Sequence, residues 1–406
     1  MKIAVIGGGP AGIFAAISAK NSSNQVVLFE RNKILGSKIL LTGKGRCNLT
    51  NLSPIHDFIS NVVTNSKFLY SAISKFSPSE TYQFFEKNGL PLIVQRGNRV
   101  FPQTEKSLDV VKFLENCLIK SKIQIYYNFK VNTIEVLNGG FFVNNNYEDR
   151  YDKVIMATGG LSYPKTGSDG YGFHIVKNLG HSVSECRPGL VGIKTCTNKC
   201  FPTGLSLKNV KFVVTKKNKI LFSELGELLF THVGLSGPLV LKASSIINFE
   251  DIAKLDAYID LKPGLTVDAL DRRVLKDFNR NSNKLLKNSL DALLPKKLIP
   301  YFITRSEIEP EKPVNQLTKE ERARLVSLLK HLDFKLISLE EIDKAIITSG
   351  GVDVKNIDSR TMESKIIPDL FFAGEMIDVD AYTGGYNMQI AMSTGFLAGT
   401  SAKNKN

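Results

Sequence analysis

Short apolar runs and amphipathic stretches alternate along the first third of the chain. Lys2–Ile6 (KIAVI) ends at glycines, Ile13–Lys20 has helical character, and Gln25–Glu30 (QVVLFE) is a second β-branched run. A strand, a glycine turn, a helix and a strand in this order predict a parallel βαβ opening. Ile34–Asn51 is rich in Gly, Lys, Asn and Thr and reads as a long functional loop. Lys67–Asn88 and Ser107–Ser121 carry the spacing of amphipathic helices. Ile123–Tyr127, Lys130–Leu137 and Phe141–Asn144 read as strands of a small antiparallel layer, and Lys153–Ala157 (KVIMA) as a buried strand that stops at Thr158-Gly159-Gly160.

The texture changes near residue 190. Leu190–Thr195, Lys208–Thr215, Lys219–Leu229 and Leu255–Leu261 read as short strands, and Leu270–Leu294 and Thr318–His331 as helices. From Ile346 to Val354 the pattern is extended again, Leu370–Ala373 is one more buried strand, and Gly384–Ala402 closes with a glycine turn and a helix. The predicted fold is α/β. A doubly wound, Rossmann-like domain is made from residues 1–190 and 346–406, interrupted by a β-rich module at 191–345.

Composition narrows the function classes only a little. With 406 residues, 43% hydrophobic and 23% charged, the chain is an ordinary globular one, which excludes global disorder, a collagen-like repeat and a polytopic membrane protein. The formal charge of +14 favours anionic partners: nucleotides, phosphates, acidic substrates or nucleic acid. The basic helices between about 262 and 345 lack interleaved aromatics or an RNA motif, so they read as a solvated face and nucleic acid is not the expected partner. The five cysteines (Cys47, Cys117, Cys186, Cys196, Cys200) show no CxxC and no zinc-type run, so neither a metal site nor a disulfide framework is expected. The N-terminus looks superficially like a signal peptide, but Gly7-Gly8-Gly9-Pro10 breaks the apolar helix such a peptide needs. No other apolar run reaches 18 residues, and the expected location is cytoplasmic, without a membrane span. Oligomeric state is not legible.

The glycines have a sharper use. Gly7, Gly9 and Gly12, with Pro10 and Ala11 between them, form G-x-G-x-x-G between a strand and a helix. Gly7 permits the tight turn, Gly9 lets a pyrophosphate approach the backbone, and Gly12 permits close helix–strand packing. The free N–H groups and the positive end of the helix dipole then hold a diphosphate. Glu30 ends the second strand, 18 residues after Gly12, where its carboxylate accepts from ribose hydroxyls.

FAD and NAD both use this fingerprint, so later segments decide. Ala157-Thr158-Gly159 ends one strand, and Phe372-Ala373-Gly374-Glu375 ends the last, where Glu375 is placed for ribitol hydroxyls. Gly384-Gly385-Tyr386-Asn387, followed by Met388, opens the final helix. A helix N-terminus at the flavin N1–C2=O edge stabilises the charge of the reduced ring, and Gly384-Gly385 admits that edge without a Cβ clash. These elements together favour FAD. Only one complete G-x-G-x-x-G is present, so NAD(P)H is expected at most as a transient visitor.

At this point the chain resembles the HI0933-like flavoproteins, a bacterial family with aminoacetone-oxidase-like and BaiN-like members. The resemblance spans essentially the whole chain. Its carriers are Gly7–Gly12, TGKGRCNLTN (Thr42–Asn51), ATGGLSYPKTGSDGYG (Ala157–Gly172), LLFTHVGLSGP (Leu228–Pro238), the GGVD and SRTMES segments (Gly350–Ser364), and FAGEMIDVDAYTGGYNMQIAMSTG (Phe372–Gly395). It implies an FAD domain of the two-dinucleotide-binding type, with an inserted β-barrel and a small helical subdomain at about 262–330. It also implies roles by position. Gly7, Gly9, Ala11 and Gly12 hold the pyrophosphate, and Glu30 with Arg31 the adenosine end. Lys38 and the stretch Gly43, Gly45, Arg46, Cys47, Asn48 and Leu49 lie along the diphosphate and flavin. Val131 offers backbone groups to adenine, Thr158 and Gly159 pass the adenosine side, and Asp169 occupies a contact position of fumarate-reductase-like flavoproteins.

Three residues are candidates for chemistry. Cys47 follows the second strand, where disulfide reductases keep redox cysteines, but it has no partner at CxxxxC spacing and reads better as a packing residue. His232, in a glycine-flanked loop of the inserted module, is a candidate proton donor, with a structural role as the stronger alternative. Tyr386 is its rival. Lys44 and Arg99 are candidate anion contacts with a solvated face as the alternative. The function expected is an FAD-dependent oxidoreductase acting through flavin N5 on a small organic substrate. The alternatives are an FAD-containing RNA-binding or RNA-modifying protein and a flavin-bound scaffold without turnover.

Overall fold

The computed structural model describes residues 1–403; residues 404–406, the end of the expected C-terminal segment, lie outside the described residues. The chain divides into two compact units, Met1–Gly189 with Ile342–Asn406, and Leu190–Glu341.

The first unit is built on a five-stranded parallel sheet. Strand β1 (Lys2–Ile6) lies between Lys153–Met156 and β2 (Gln25–Phe29), with Leu370–Phe372 and Gln124–Tyr126 at the edges. These strands are continuous runs of β-branched and large apolar residues because helices cover both faces of a parallel sheet. Gln124–Tyr126 belongs to this sheet, pairing with Val27–Phe29, rather than to the antiparallel layer expected for it. The preceding helix Ser107–Lys120 returns the chain to the same edge, so a parallel register follows. The antiparallel layer contains Ile134–Leu137, Gly140–Val143 and Arg150–Tyr151.

Two helical stretches are shorter than their periodicity suggested. Lys67–Asn88 breaks into a 3₁₀ turn and the helices Tyr70–Lys75 and Pro78–Lys87. Pro78 has no N–H to continue the ladder, and Ser77 starts the new helix as a capping box with Glu80. The region Leu270–Leu294 is α-helical only up to Arg280, in the helix Val267–Arg280, which ends at Asn281 before a run of polar residues; a 3₁₀ turn follows at Leu286–Asn288. The long loop Ile34–Asn51 contains 3₁₀ turns over Ile39–Gly45 and a short strand at Thr50–Asn51.

The second unit is a closed six-stranded antiparallel barrel. Ile193–Thr195, Gly234–Ser236, Lys219–Thr231, Ser206–Lys216, Asp256–Asp260 and Leu332–Leu339 pair in that order, and the last pairs back to the first. The strand Leu332–Leu339 was not legible as a strand, although its buried and exposed positions alternate over most of its length. Four helices belong to this unit: Pro238–Ile247, Val267–Arg280, Ile299–Ser306 and Lys319–Lys330. Among the described residues no helix is long and apolar enough to cross a membrane.

Helix α1 (Pro10–Ala19) is buried on nearly every side and packs along the C-terminal helix Tyr386–Lys403. The contact is backbone to backbone. A Cβ on Gly395 would lie 2.1 Å from the Ala11 carbonyl oxygen, and one on Gly399 2.1 Å from that of Ala15. Neither neighbour is a flexible side chain that can turn away. Gly395→Val is therefore expected to lower stability by about 1–3 kcal/mol, the cost of overpacking. Equilibrium urea unfolding measures it; an unchanged midpoint would mean the two helices separate at no cost.

Candidate functional site

A cleft in the first unit opens at the carboxyl ends of the parallel strands, where open α/β sheets bind ligands. Its floor is the turn from β1 to α1. Gly7 has φ +109°, and a Cβ there would lie 2.4 Å from the Ala157 carbonyl oxygen. Gly12 has Gly7 O where its own Cβ would stand, at 1.8 Å. Gly9 is different: a Cβ there meets nothing within 4 Å, because the residue faces open space. The Ala11 and Gly12 N–H groups have no intrahelical acceptor. Bare backbone, free donors and a dipole end meet at one wall, and a diphosphate fits that wall.

Glu30, Arg31 and Tyr171 line one end of the cleft. Glu30 is buried, and its carboxylate accepts from Gly8 N at 2.8 Å and Asn32 N at 2.7 Å. Burial raises its pKa above the ordinary carboxylate value, and these N–H groups pull against that. The Arg31 guanidinium lies 5.1 Å from the Tyr171 ring centroid and pairs with Asp169 at 2.6 Å. Burial works against the Asp169 charge, but Arg31 outweighs it and holds the pKa below the usual range. Asp169 thus acts on the cleft through Arg31 and does not line it.

The other end is lined by Lys38, Glu375, Asn387 and Met388. Lys38 and Glu375 form an ion pair deep in the wall. Ser162 Oγ donates to Glu375 at 2.6 Å and Thr348 N at 2.9 Å, while Lys38 also donates to Ser162 Oγ at 2.6 Å. Burial penalises the Glu375 charge, yet the Lys38 cation more than offsets it and the carboxyl stays ionised below its usual range. Asn387 clamps Ala381, accepting from its N–H at 2.9 Å and donating to its carbonyl at 2.7 Å.

Of the residues expected around the cofactor, Gly7, Gly9, Pro10, Ala11, Ala157, Thr158 and Gly159 also line the cleft. Others shape the site without lining it. Gly374 approaches helix α1, where a Cβ would lie 2.6 Å from that of Ala11. Leu49 and Val131 are core residues, and Gly43 and Gly45 carry the positive φ angles of the loop. Arg46 is bound to Glu105 at 3.2 Å and lies over the Phe101 ring. Asn48 leaves its buried Oδ1 with no hydrogen-bond partner in the chain.

The expectation for Gly385 needs correction. The backbone that approaches Gly385 is that of Thr50: a Cβ would lie 2.5 Å from its carbonyl carbon and oxygen, so Gly385 serves chain packing. Cys47 is fully buried and its thiol is pushed up to about 12 by burial, against a hydrogen bond with Thr42. It stays protonated at neutral pH and is no nucleophile. Tyr386 is buried with its ring edge-on to Phe58 at 5.0 Å and does not line the cleft. His232 is exposed in the tight turn between two barrel strands of the second unit, and Arg99 and Lys44 are exposed in the first. Tyr171, Ser162 and Thr348 were missed. The first two lie inside a motif that drew attention for its glycines, and Thr348 lies in a segment legible only as extended.

The fold and cleft define a Rossmann-type dinucleotide-binding α/β protein. A family model described as "HI0933-like protein Rossmann domain" matches residues 1–401, and the chain belongs to this family. It is 30% identical over 411 residues to a 3-dehydro-bile acid delta(4,6)-reductase of Clostridium scindens, covering 99% of this chain and 98% of that protein. It is 31% identical over 393 residues to a ribosomal RNA dihydrouridine synthase of Escherichia coli, covering 96% and 95%. Among solved structures, a 3-ketosteroid-delta4-(5alpha)-dehydrogenase from Rhodococcus jostii shares the fold with a TM-score of 0.51 at 14% identity, over 99% of this chain and 96% of that one.

Glu30→Gln keeps the shape of the side chain but removes the charged acceptor. Affinity for FAD is expected to fall by about 1.5–3 kcal/mol, the range for hydrogen bonds to charged groups. Fluorescence titration of the apoprotein reads this directly, and equal affinity would place the ribose elsewhere.

Asp380, next to the cleft residue Val379, is fully buried; it accepts from Ser349 Oγ at 3.2 Å, and the Thr64 and Ser349 hydroxyls only partly offset the burial of its charge. Burial raises its pKa to about 6. A carboxyl raised on folding binds its proton more tightly in the native state. Stability is therefore fully present below the unfolded value and lost as pH rises through about 6. Asp380→Asn is expected to recover about 2–3 kcal/mol at neutral pH relative to acid, since one pKa unit is about 1.4 kcal/mol. Urea midpoints of both proteins across this range test it. Parallel curves would refute the assignment.

Proposed function

We propose that this chain is an FAD-dependent oxidoreductase that hydrogenates a carbon–carbon double bond conjugated to a carbonyl. The observation that carries the cofactor is the cleft itself, which continues past the α1 N-terminus from Glu30, Arg31 and Tyr171 to Lys38, Glu375 and Met388. A mononucleotide would leave one end of it unused. In this reading the first unit is the FAD-binding domain and the barrel-bearing unit selects the substrate.

The reaction class is supported by what two relatives' names share. A delta(4,6)-reductase of a 3-dehydro-bile acid and a dihydrouridine synthase both describe saturation of a double bond in conjugation with a ring carbonyl. Bound FAD supplies a hydride equivalent at N5. The protein supplies position and charge. Glu375 and Lys38 together leave no net charge in the wall near the ring, so the helix and backbone dipoles there set its electrostatics. NAD(P)H is the proposed electron donor, and substrate, NAD(P)H and one proton give saturated product and NAD(P)+. The proposed substrate is a small conjugated ketone. A second reading, a uracil base within RNA, is favoured by the charge of +14.

The purified protein is expected to be yellow and to release FAD, not FMN, on heat extraction. Anaerobic NADH or NADPH should bleach it, and a 3-oxo-Δ4 steroid or a uridine-containing RNA should restore the colour. Release of FMN would overturn the cofactor. Bleached protein that recovers its colour with neither class of conjugated substrate would overturn the reaction.

A further inference from the structure

The helix Val267–Arg280 of the second unit carries a row of cations that its own fold does not use. Arg272, Lys276 and Arg280 follow one another at four-residue intervals, and with Leu275 and Asn279 they line one shallow hollow. Among the described residues none of the three has an acidic partner within ion-pair distance. Several neighbouring cations are paired. Arg273 on the same helix is tied to Asp277 at 2.8 Å, and Arg322 to Asp271 at 2.8 Å. Lys312 is tied to Glu321 at 2.7 Å, and Arg305 to Asp333 at 2.7 Å. Two of the three acids of this helix, Asp271 and Asp277, are thus spent on other cations, and the third, Asp268, is exposed one turn before Arg272.

Spacing selects the ligand. Four residues advance a helix by about 6 Å, close to the separation of adjacent phosphates along an RNA strand. A row of unpaired charges on a rigid helix meets such a ladder without rearrangement. No aromatic residue lies in the hollow, so bases have no stacking platform and the contact is to the backbone. Leu275, 40% exposed, gives the sugar edge an apolar rest.

We infer that the face made by Arg272, Lys276 and Arg280 docks the phosphate backbone of RNA and brings a structured RNA to this protein. The inference rests on the RNA form of the substrate reading above. It concerns docking alone; the base that reacts is chosen elsewhere.

The test uses the full-length, FAD-loaded protein and a fluorescein-labelled RNA hairpin, with binding measured by anisotropy over a range of salt. In the triple variant Arg272→Ala, Lys276→Ala, Arg280→Ala, affinity should fall on the order of tenfold or more. The slope of log K against log salt should shrink by about 2–3, since each phosphate contact contributes about 0.7–0.9. The triple variant Lys208→Ala, Lys217→Ala, Lys219→Ala removes the same charge from exposed barrel positions and should leave both values unchanged. Equal losses in the two variants would show diffuse attraction and overturn the proposal, as would tighter binding to vesicles of anionic phospholipid than to RNA. Flavin content and anaerobic bleaching by NADH are read on the same samples. No RNA binding with steroid-dependent recovery of colour sinks only the docking face; salt-dependent binding without any recovery sinks only the proposed reaction.

Discussion

Helix α1 is held in place by the side chains it does not meet. On its strand side, Gly12 leaves room for the Gly7 carbonyl, and Gly7 leaves room for Ala157. Along its flank, Gly395 and Gly399 let the C-terminal helix come within backbone contact of Ala11 and Ala15. Gly374 makes the same concession at the end of the last strand. Five missing side chains thus fix one helix against the sheet and against the far end of the chain. The consequence is functional, since the α1 N-terminus is the fixed point from which the cleft extends in both directions. A fold that tied down this helix with bulky residues would have to move it away from Ala157, and the diphosphate wall would open.

That constraint also explains which parts were legible in the sequence. Glycines that stand where a Cβ cannot go leave a spacing signature, so G-x-G-x-x-G was legible, whereas Gly395 and Gly399 show their role only in the packing of the final helix. Strand-end residues such as Glu30 and Glu375 were also legible, because a carboxylate just after a buried apolar run has few structural reasons to be there. What escaped notice depends on long-range partners. Thr348 donates its backbone N–H to Glu375 from a separate strand, and nothing local in its segment encodes that. Gly385 misled for the complementary reason: a glycine reports a close approach but not what approaches, and here it is the Thr50 backbone. Gln124–Tyr126 was assigned to the wrong sheet because strand propensity carries no information on the neighbour it will choose.

The barrel-bearing unit shows a different relation between sequence and structure. Its strands pair with short turns, so most were legible from local pattern, yet the closing strand Leu332–Leu339 comes after four helices and returns across the whole insertion to pair with Asp256–Asp260 and Ile193–Thr195. Charge follows the same division. The formal +14 is a property of the whole chain and says nothing about place. Place is read from the ion pairs instead, because a cation balanced by a nearby carboxylate contributes little to the field a polyanion meets.

The pair of Lys38 and Glu375 shows how the first unit reconciles a buried charge with a cleft that must accept a large, polar ligand. An unpaired carboxylate so largely withdrawn from water would be pushed toward its protonated form and lose strength as an acceptor. Pairing it with Lys38 keeps it ionised, but burial of an ion pair is often neutral or unfavourable against an apolar replacement, so stability alone does not account for it. The remaining donors are informative. Ser162 and Thr348 N both point at Glu375 Oε1, while Lys38 engages Oε2 and Ser162 at once. The carboxylate is thereby fixed in orientation as well as in charge, facing the cleft with its position set by three separate segments of the chain. A charged acceptor that is costly to bury and is nonetheless held rigid at a cavity wall is a physical reason to read this end of the cleft as a binding surface rather than as a packing defect.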